Sequence, residues 1–213
     1  MRMLIALAAF AALTTVGAKE WAYDFDSADL ADWTVIGGEW NLVPEEGRGT
    51  VLELSKYGDI PEEPVRRPGS LILAPAPAVG TFEMEVNLRT LEMEKKGADV
   101  ILVFGYQDPT HYYYAHICND SNDKGHHVIF KVEGSKKTRT LIDNETAPEP
   151  TLNGQWQSVL LKRTSMGHVE VYCDDNDTPT LTADDATWPT GRVGLGSFND
   201  NAQFDELVIR TTE

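Results

Sequence analysis

The sequence predicts an all-β fold, a two-sheet antiparallel β-sandwich, and three observations predict it. Short runs rich in Val, Ile, Tyr and Phe recur along the chain, many with apolar and polar residues alternating. Clusters of Gly, Pro, Asn and Asp break these runs at turn-length intervals. Only "TLEMEKKG", 90–97, has the composition of a helical turn, and it is too short to stand as a helix. With 213 residues, 41% of them hydrophobic, the chain has ample material for a core.

Residues 1–18, "MRMLIALAAFAALTTVGA", come first and are unlike the rest. A basic start at Arg2, a short apolar run and a small-residue end have the plan of a secretory signal peptide cleaved after Ala18. The run is short for a membrane span, and no later stretch is apolar enough to cross a bilayer, so no membrane insertion is expected. A single domain over 19–213 is expected in the secreted or periplasmic space. In "DWTVIGGEWNLV" the pair Gly37-Gly38 turns the chain between two early strands and is expected to bring Trp33 and Trp40 over one another. The strands that follow are read at 80–90, 98–107, 111–118, 126–134, 155–164, 168–174, 192–198 and 203–210. The turn "NDSNDKG" joins the third and fourth of these as a hairpin, and Ser-Met-Gly joins the fifth and sixth. In "GRVGLGSF", Gly194 and Gly196 leave room for a close neighbour. In "FDELVI" the apolar residues break strict alternation, which signals a bulge or burial on both sides. The proline-rich pieces "IPEEPVRRP" and "APAPAVG" are too brief to be linkers.

The formal charge is −16, and −17 without Arg2, the one charged residue of the leader. Such a surface repels nucleic acid, so no nucleic-acid partner is expected. It also disfavours strongly anionic polymers unless basic residues gather locally. Cys118 and Cys173 each end a β-type run, and the sequence leaves open whether they pair.

Three stretches carry a resemblance: "WAYDFDSADLADWTVIGGEWNLV", "GQWQSVLLKRTSMGHVEVYCDD" and "GRVGLGSFNDNAQFDELVI". Together they resemble concanavalin A-like jelly rolls. Within that superfamily the chain looks most like laminin G-like and 3-keto-disaccharide hydrolase-type domains, over nearly all of Lys19 to Glu213. The resemblance implies a jelly-roll sandwich, and a superfamily that holds lectins, binding modules, hydrolases and lyases alike. It also implies that the first and last strands pair and hold a structural calcium. Asp24, Asp26 and Asp205 are then the candidate oxygen ligands, with solvated aspartates as the alternative.

The candidate ligand surface comes from "THYYYAHICND" and "KGHHVIFKVEG". In a strand Tyr112, Tyr114, His116 and Cys118 share one face, and in the next His127, Ile129 and Lys131 do. Val128, Phe130 and Val132 make the better core face, so Tyr112, Tyr114, His116, His127 and Lys131 are expected to line one groove. Aromatic rings with a few polar groups suit sugars, whose C–H faces stack and whose hydroxyls take hydrogen bonds. The competing reading is that the tyrosines are packing. The expected function is a carbohydrate-recognising domain binding an oligo- or polysaccharide on a concave sheet. A glycoside hydrolase or polysaccharide lyase on the same scaffold is the alternative, with Tyr, His116, Lys131 and Arg66, Arg67 or Arg139 as possible parts of a lyase. Glu83 and Glu85 give only part of a glycosidase pattern. A structural or adhesive surface domain is the third reading.

Overall fold

The structure is a computed structural model that describes residues 17–121, 125–144, 152–174 and 177–211. Residues 1–16 of the expected leader, and residues 122–124 within "NDSNDKG", lie outside the described residues. Among the described residues fifteen strands are formed. The first five are β1 (Glu20–Tyr23), β2 (Thr34–Ile36), β3 (Glu39–Glu45), β4 (Gly49–Lys56) and β5 (Ser70–Leu73). The middle of the chain gives β6 (Phe82–Thr90), β7 (Asp99–Asp108), β8 (His111–Cys118), β9 (Val128–Glu133) and β10 (Thr140–Leu141). The last are β11 (Gln157–Arg163), β12 (His168–Cys173), β13 (Leu181–Asp184), β14 (Arg192–Ser197) and β15 (Ala202–Thr211). Among the described residues no helix is long and apolar enough to cross a membrane.

The strands form two antiparallel sheets, one of eight strands and one of seven. The larger runs β13-β12-β11-β6-β15-β4-β3, with β1 added to β15. The smaller runs β10-β9-β8-β7-β14-β5-β2. Alternation explains the larger sheet. In β6 the residues Phe82, Met84, Val86 and Leu88 are buried, and Glu83, Glu85, Asn87 and Arg89 between them are half-exposed. The inward set meets Val100, Leu102, Phe104, Tyr113, Ala115 and Ile117 of the smaller sheet in one core.

The smaller sheet is different, because β7 and β8 are buried on both faces. Its outer face carries a second apolar cluster that includes Leu71, Ile101, Tyr112, Tyr114, Val128, Phe130 and Val132. The segment from 57 to 69 folds over this cluster and sets Val65 into it with no exposed surface. That proline-rich piece therefore closes a sheet face.

Glycine acts in a turn at 37–38 and inside strand β14 at Gly194. Gly37 and Gly38 have φ of 87° and 76°, as a tight glycine turn requires. The turn, however, carries the chain from β2 in one sheet to β3 in the other. Trp33 and Trp40 consequently do not stack. Trp33 packs on Tyr23 and Phe25, and Trp40 on Phe204. At Gly194 a Cβ would lie 2.3 Å from the Ile72 carbonyl oxygen, so close approach of β5 explains the glycine.

Candidate functional site

The chain ends do pair: β1 lies against β15 from Glu20↔Arg210 to Tyr23↔Leu207. On the same edge of β15, β4 pairs further back, from Ala202↔Leu54 to Phe204↔Leu52. Between the two partners β15 is bulged, from Asp205 to Val208. Glu206 sits on this bulge at φ 51°, a strained value for a residue with a side chain. A change of partner, a bulge and the outer face of β6 together leave a depression of about 340 Å³. Ala22, Tyr23 and Val208 form its apolar part, and Asp24, Glu85, Asn87 and Glu206 its polar part.

Register makes this site compact. Glu85, Val208 and Ala22 form one row across three strands. The Asn87 amide donates to the Glu206 carboxylate. Arg210 bonds both Glu85 and Glu20. Beside the depression Arg48 donates to Asp205 at 2.9 Å, and the Glu206 amide donates to the other Asp205 oxygen. The Trp156 ring carries the Arg48 and Arg89 guanidiniums at 4.3 and 4.8 Å, so cations occupy this indole.

The three expected calcium ligands are engaged differently. Asp205 is buried against Arg48, Asp26 accepts from the Thr50 amide at 2.6 Å, and Asp24 lines the depression. Among the described residues no group of three or more His, Cys, Asp or Glu is placed to hold a metal ion.

Four of the five residues expected to share a groove are split between the two faces of the smaller sheet, and His127 lies just before β9. Tyr112 lies opposite Val132, Tyr114 opposite Phe130 and His116 opposite Val128. Directly opposed residues point to the same side of a sheet, so the tyrosines share the face of Val128, Phe130 and Val132. Lys131 is opposite Tyr113, on the other face. Neither face of β9 is open: one is covered by the larger sheet and the other by segment 57–69. Tyr112 and Tyr114 are fully buried, and among the described residues neither hydroxyl has a hydrogen-bond partner.

Lys131 belongs to a clamp. It bonds Asp185 at 2.6 Å and Thr187 at 3.1 Å, and Tyr113 donates to the second Asp185 oxygen at 2.6 Å. Burial opposes the Asp185 charge, but Lys131, Thr187 and Tyr113 hold the carboxyl well below its usual range.

His116 and His127 are both buried, and their surroundings shift them in opposite directions. His116 donates from Nδ1 to the Gly125 carbonyl at 2.6 Å, and its Nε2 is 3.5 Å from Asp99. The two acceptors favour the imidazolium. Burial works against that charge, but the Cys118 sulfur and the Asp99 carboxylate outweigh it and raise the pKa above the ordinary imidazole range. His127, at φ 56°, accepts the Cys118 amide on Nδ1, and burial together with His116 lowers it to about 4. His116 therefore contributes stability that is full below the unfolded pKa and is lost as pH rises through the folded one; His127 contributes above its unfolded pKa and loses it as pH falls. Nitrogen-15 NMR of the imidazoles at about pH 7 should show both His116 nitrogens protonated and only one on His127. A neutral His116 at that pH overturns the assignment. No disulfide joins Cys118 to Cys173.

The sequence did not single out Tyr23, Asn87, Glu206 and Val208. The one signal was the broken alternation in "FDELVI", which is where the bulge occurs.

No family model matches the chain, and no curated protein matches it in sequence. Solved structures do match in fold. Carbohydrate binding module CBM66 from Bacillus subtilis is 18% identical, with a TM-score of 0.62 over 84% of this chain and 96% of that one. Domain 4 of AbnA, a GH43 extracellular arabinanase from Geobacillus stearothermophilus, in complex with arabinotriose, is 15% identical, with a TM-score of 0.53 over 91% and 93%. A putative glycosyl hydrolase from Parabacteroides distasonis is 11% identical, with a TM-score of 0.53 over 89% and 92%. The fold is thus a concanavalin A-like jelly-roll sandwich.

Proposed function

We propose that this is an exported protein that binds a saccharide in the depression over the β15 bulge, on the outer face of the eight-stranded sheet. The observation that carries the reading is the composition of that depression. Val208, Ala22 and Tyr23 supply apolar surface for C–H faces, and Glu85, Asn87, Glu206 and Asp24 supply acceptors and an amide for hydroxyls. Its volume, about 340 Å³, falls at the small-ligand end of binding pockets. Three carboxylates at its rim favour a neutral sugar over an acidic one. The printed names of the fold neighbours, a carbohydrate binding module and an arabinanase domain with arabinotriose, support a saccharide ligand. The basic, apolar and small-residue order of 1–18 supports export.

A glycan array followed by calorimetry tests this. Asn87→Ala should weaken the best neutral glycan by roughly tenfold, the worth of a hydrogen bond to a partly charged site, with melting nearly unchanged. Unaltered affinity in Asn87→Ala and Val208→Asp alike places the ligand elsewhere. Two glutamates in one depression, Glu85 and Glu206, also favour a second reading, hydrolysis. Reducing ends released by wild type and lost in Glu206→Gln would establish it.

A further inference from the structure

We propose that a second cavity, between Arg66 and Arg139 on the opposite sheet, is a binding site for a carboxylate group. The cavity is about 120 Å³, the liquid volume of about four waters. That accommodates a carboxylate and the atoms next to it, with the rest of the ligand projecting outward. Arg66 comes from the segment over the smaller sheet and Arg139 from just before β10, and the backbone joins the two segments through the Arg66–Thr138 bridge. Both guanidiniums lie over one ring, Phe198, at 4.6 and 4.5 Å. Arg139 also lies over Phe130 at 4.4 Å, so its plane is held by two rings.

Charge points to what fills the space. Among the described residues Arg66 pairs with one carboxylate, the exposed Glu62, at 3.1 Å. Among the described residues Arg139 makes no ion pair, and its Nε is buried without a hydrogen-bond partner. Two like charges gathered on one ring, in a chain of net charge −16, call for an anion between them. The acid that lines the cavity does not supply it. Asp99 spends one oxygen on the Ser197 hydroxyl and the Phe198 amide and turns the other to His116. Asp200 nearby is bonded to Lys95 at 2.6 Å. A planar guanidinium matches a carboxylate with two parallel N–H donors, which a point charge does not do. The site is separate from the neutral-sugar depression and does not rest on it.

NMR titration of the intact protein with glucuronate, acetate and glucose tests the proposal. Glucuronate and acetate should shift the Arg139 Nε–H and His126 signals, and glucose should not. Acetate equal to glucuronate means that the carboxylate alone is read; tighter glucuronate means that the sugar ring adds contacts. Both results uphold the site. Arg139→Met keeps the packed stem, removes the fork and should weaken glucuronate about tenfold or more. Arg66→Gln should do likewise, and it carries the test if Arg139→Met fails to fold, since Arg66 is 41% exposed. Asn87→Ala should change nothing here. No shift with either carboxylate, or unchanged affinity in a folded Arg66→Gln, overturns the proposal.

Discussion

Tyr114→Ala is expected to lower folding stability by about 3–5 kcal/mol, the cost of deleting a large buried aromatic. The ring has no exposed surface and is enclosed by Phe130 at 5.3 Å, His116 at 5.9 Å and Tyr112 at 6.2 Å. Few of these neighbours can move into the space, because they belong to paired strands on a face that segment 57–69 already covers. Tyr114→Phe separates the ring from its hydroxyl. That hydroxyl is buried without a partner, and burial pushes its pKa well above the ordinary phenol value. Removing it should therefore leave stability unchanged or raise it by up to about 1–3 kcal/mol, the penalty of an unsatisfied buried polar group. Urea denaturation of the three proteins reads both effects. A loss below about 1 kcal/mol in Tyr114→Ala would mean that the ring is not packed in solution and that the face over it opens.

The same tyrosine shows what a sequence of this kind reveals and what it hides. Period-two alternation is local, so β6, β11 and β12 were legible strand by strand, and the hairpins of β8 with β9 and of β11 with β12 follow their turns. Which face of β8 is open is not local. It depends on Val65, some fifty residues earlier, folding over the tyrosines from a segment that reads as a loop. A covered outer face also removes the premise that only one side of β9 is core. The candidate site was hidden for a related reason. Glu85 and Asn87 in "FEMEVNLRT" look like any solvated strand face. They become part of a depression only because β6 pairs with β15, more than a hundred residues on, and because β15 exchanges β4 for β1 at its bulge. The basic pocket was half legible: Arg66 and Arg139 stood out as cations, but their meeting over Phe198 is a property of the closed sandwich.

Asp99→Ala should be as costly as Tyr114→Ala, again about 3–5 kcal/mol, for an electrostatic reason: it leaves a buried imidazolium without its counter-ion. It also strips the Ser197 hydroxyl and the Phe198 amide of their shared acceptor. Asp99→Asn is the sharper experiment, because it retains an acceptor oxygen and removes only the charge. Without that charge, one of the two influences that outweigh burial is gone, and the His116 pKa should fall. Its pH dependence then weakens. In the wild-type protein the folded pKa is raised, so the His116 contribution is full in mild acid and fades as pH rises. In the variant the folded pKa is raised less, so less of that contribution is present in mild acid. Asp200 works in the same direction. Burial and the neighbouring Asp99 push it up to about 7, so the wild-type protein loses stability as Asp200 ionises, and the variant loses less. The stability deficit of Asp99→Asn should therefore be larger at about pH 5.5 than at about pH 8. Denaturation curves at both pH values measure it. A deficit that is equal at the two, or that grows with pH, would show that His116 is neutral in the folded protein and that the pair is an uncharged hydrogen bond.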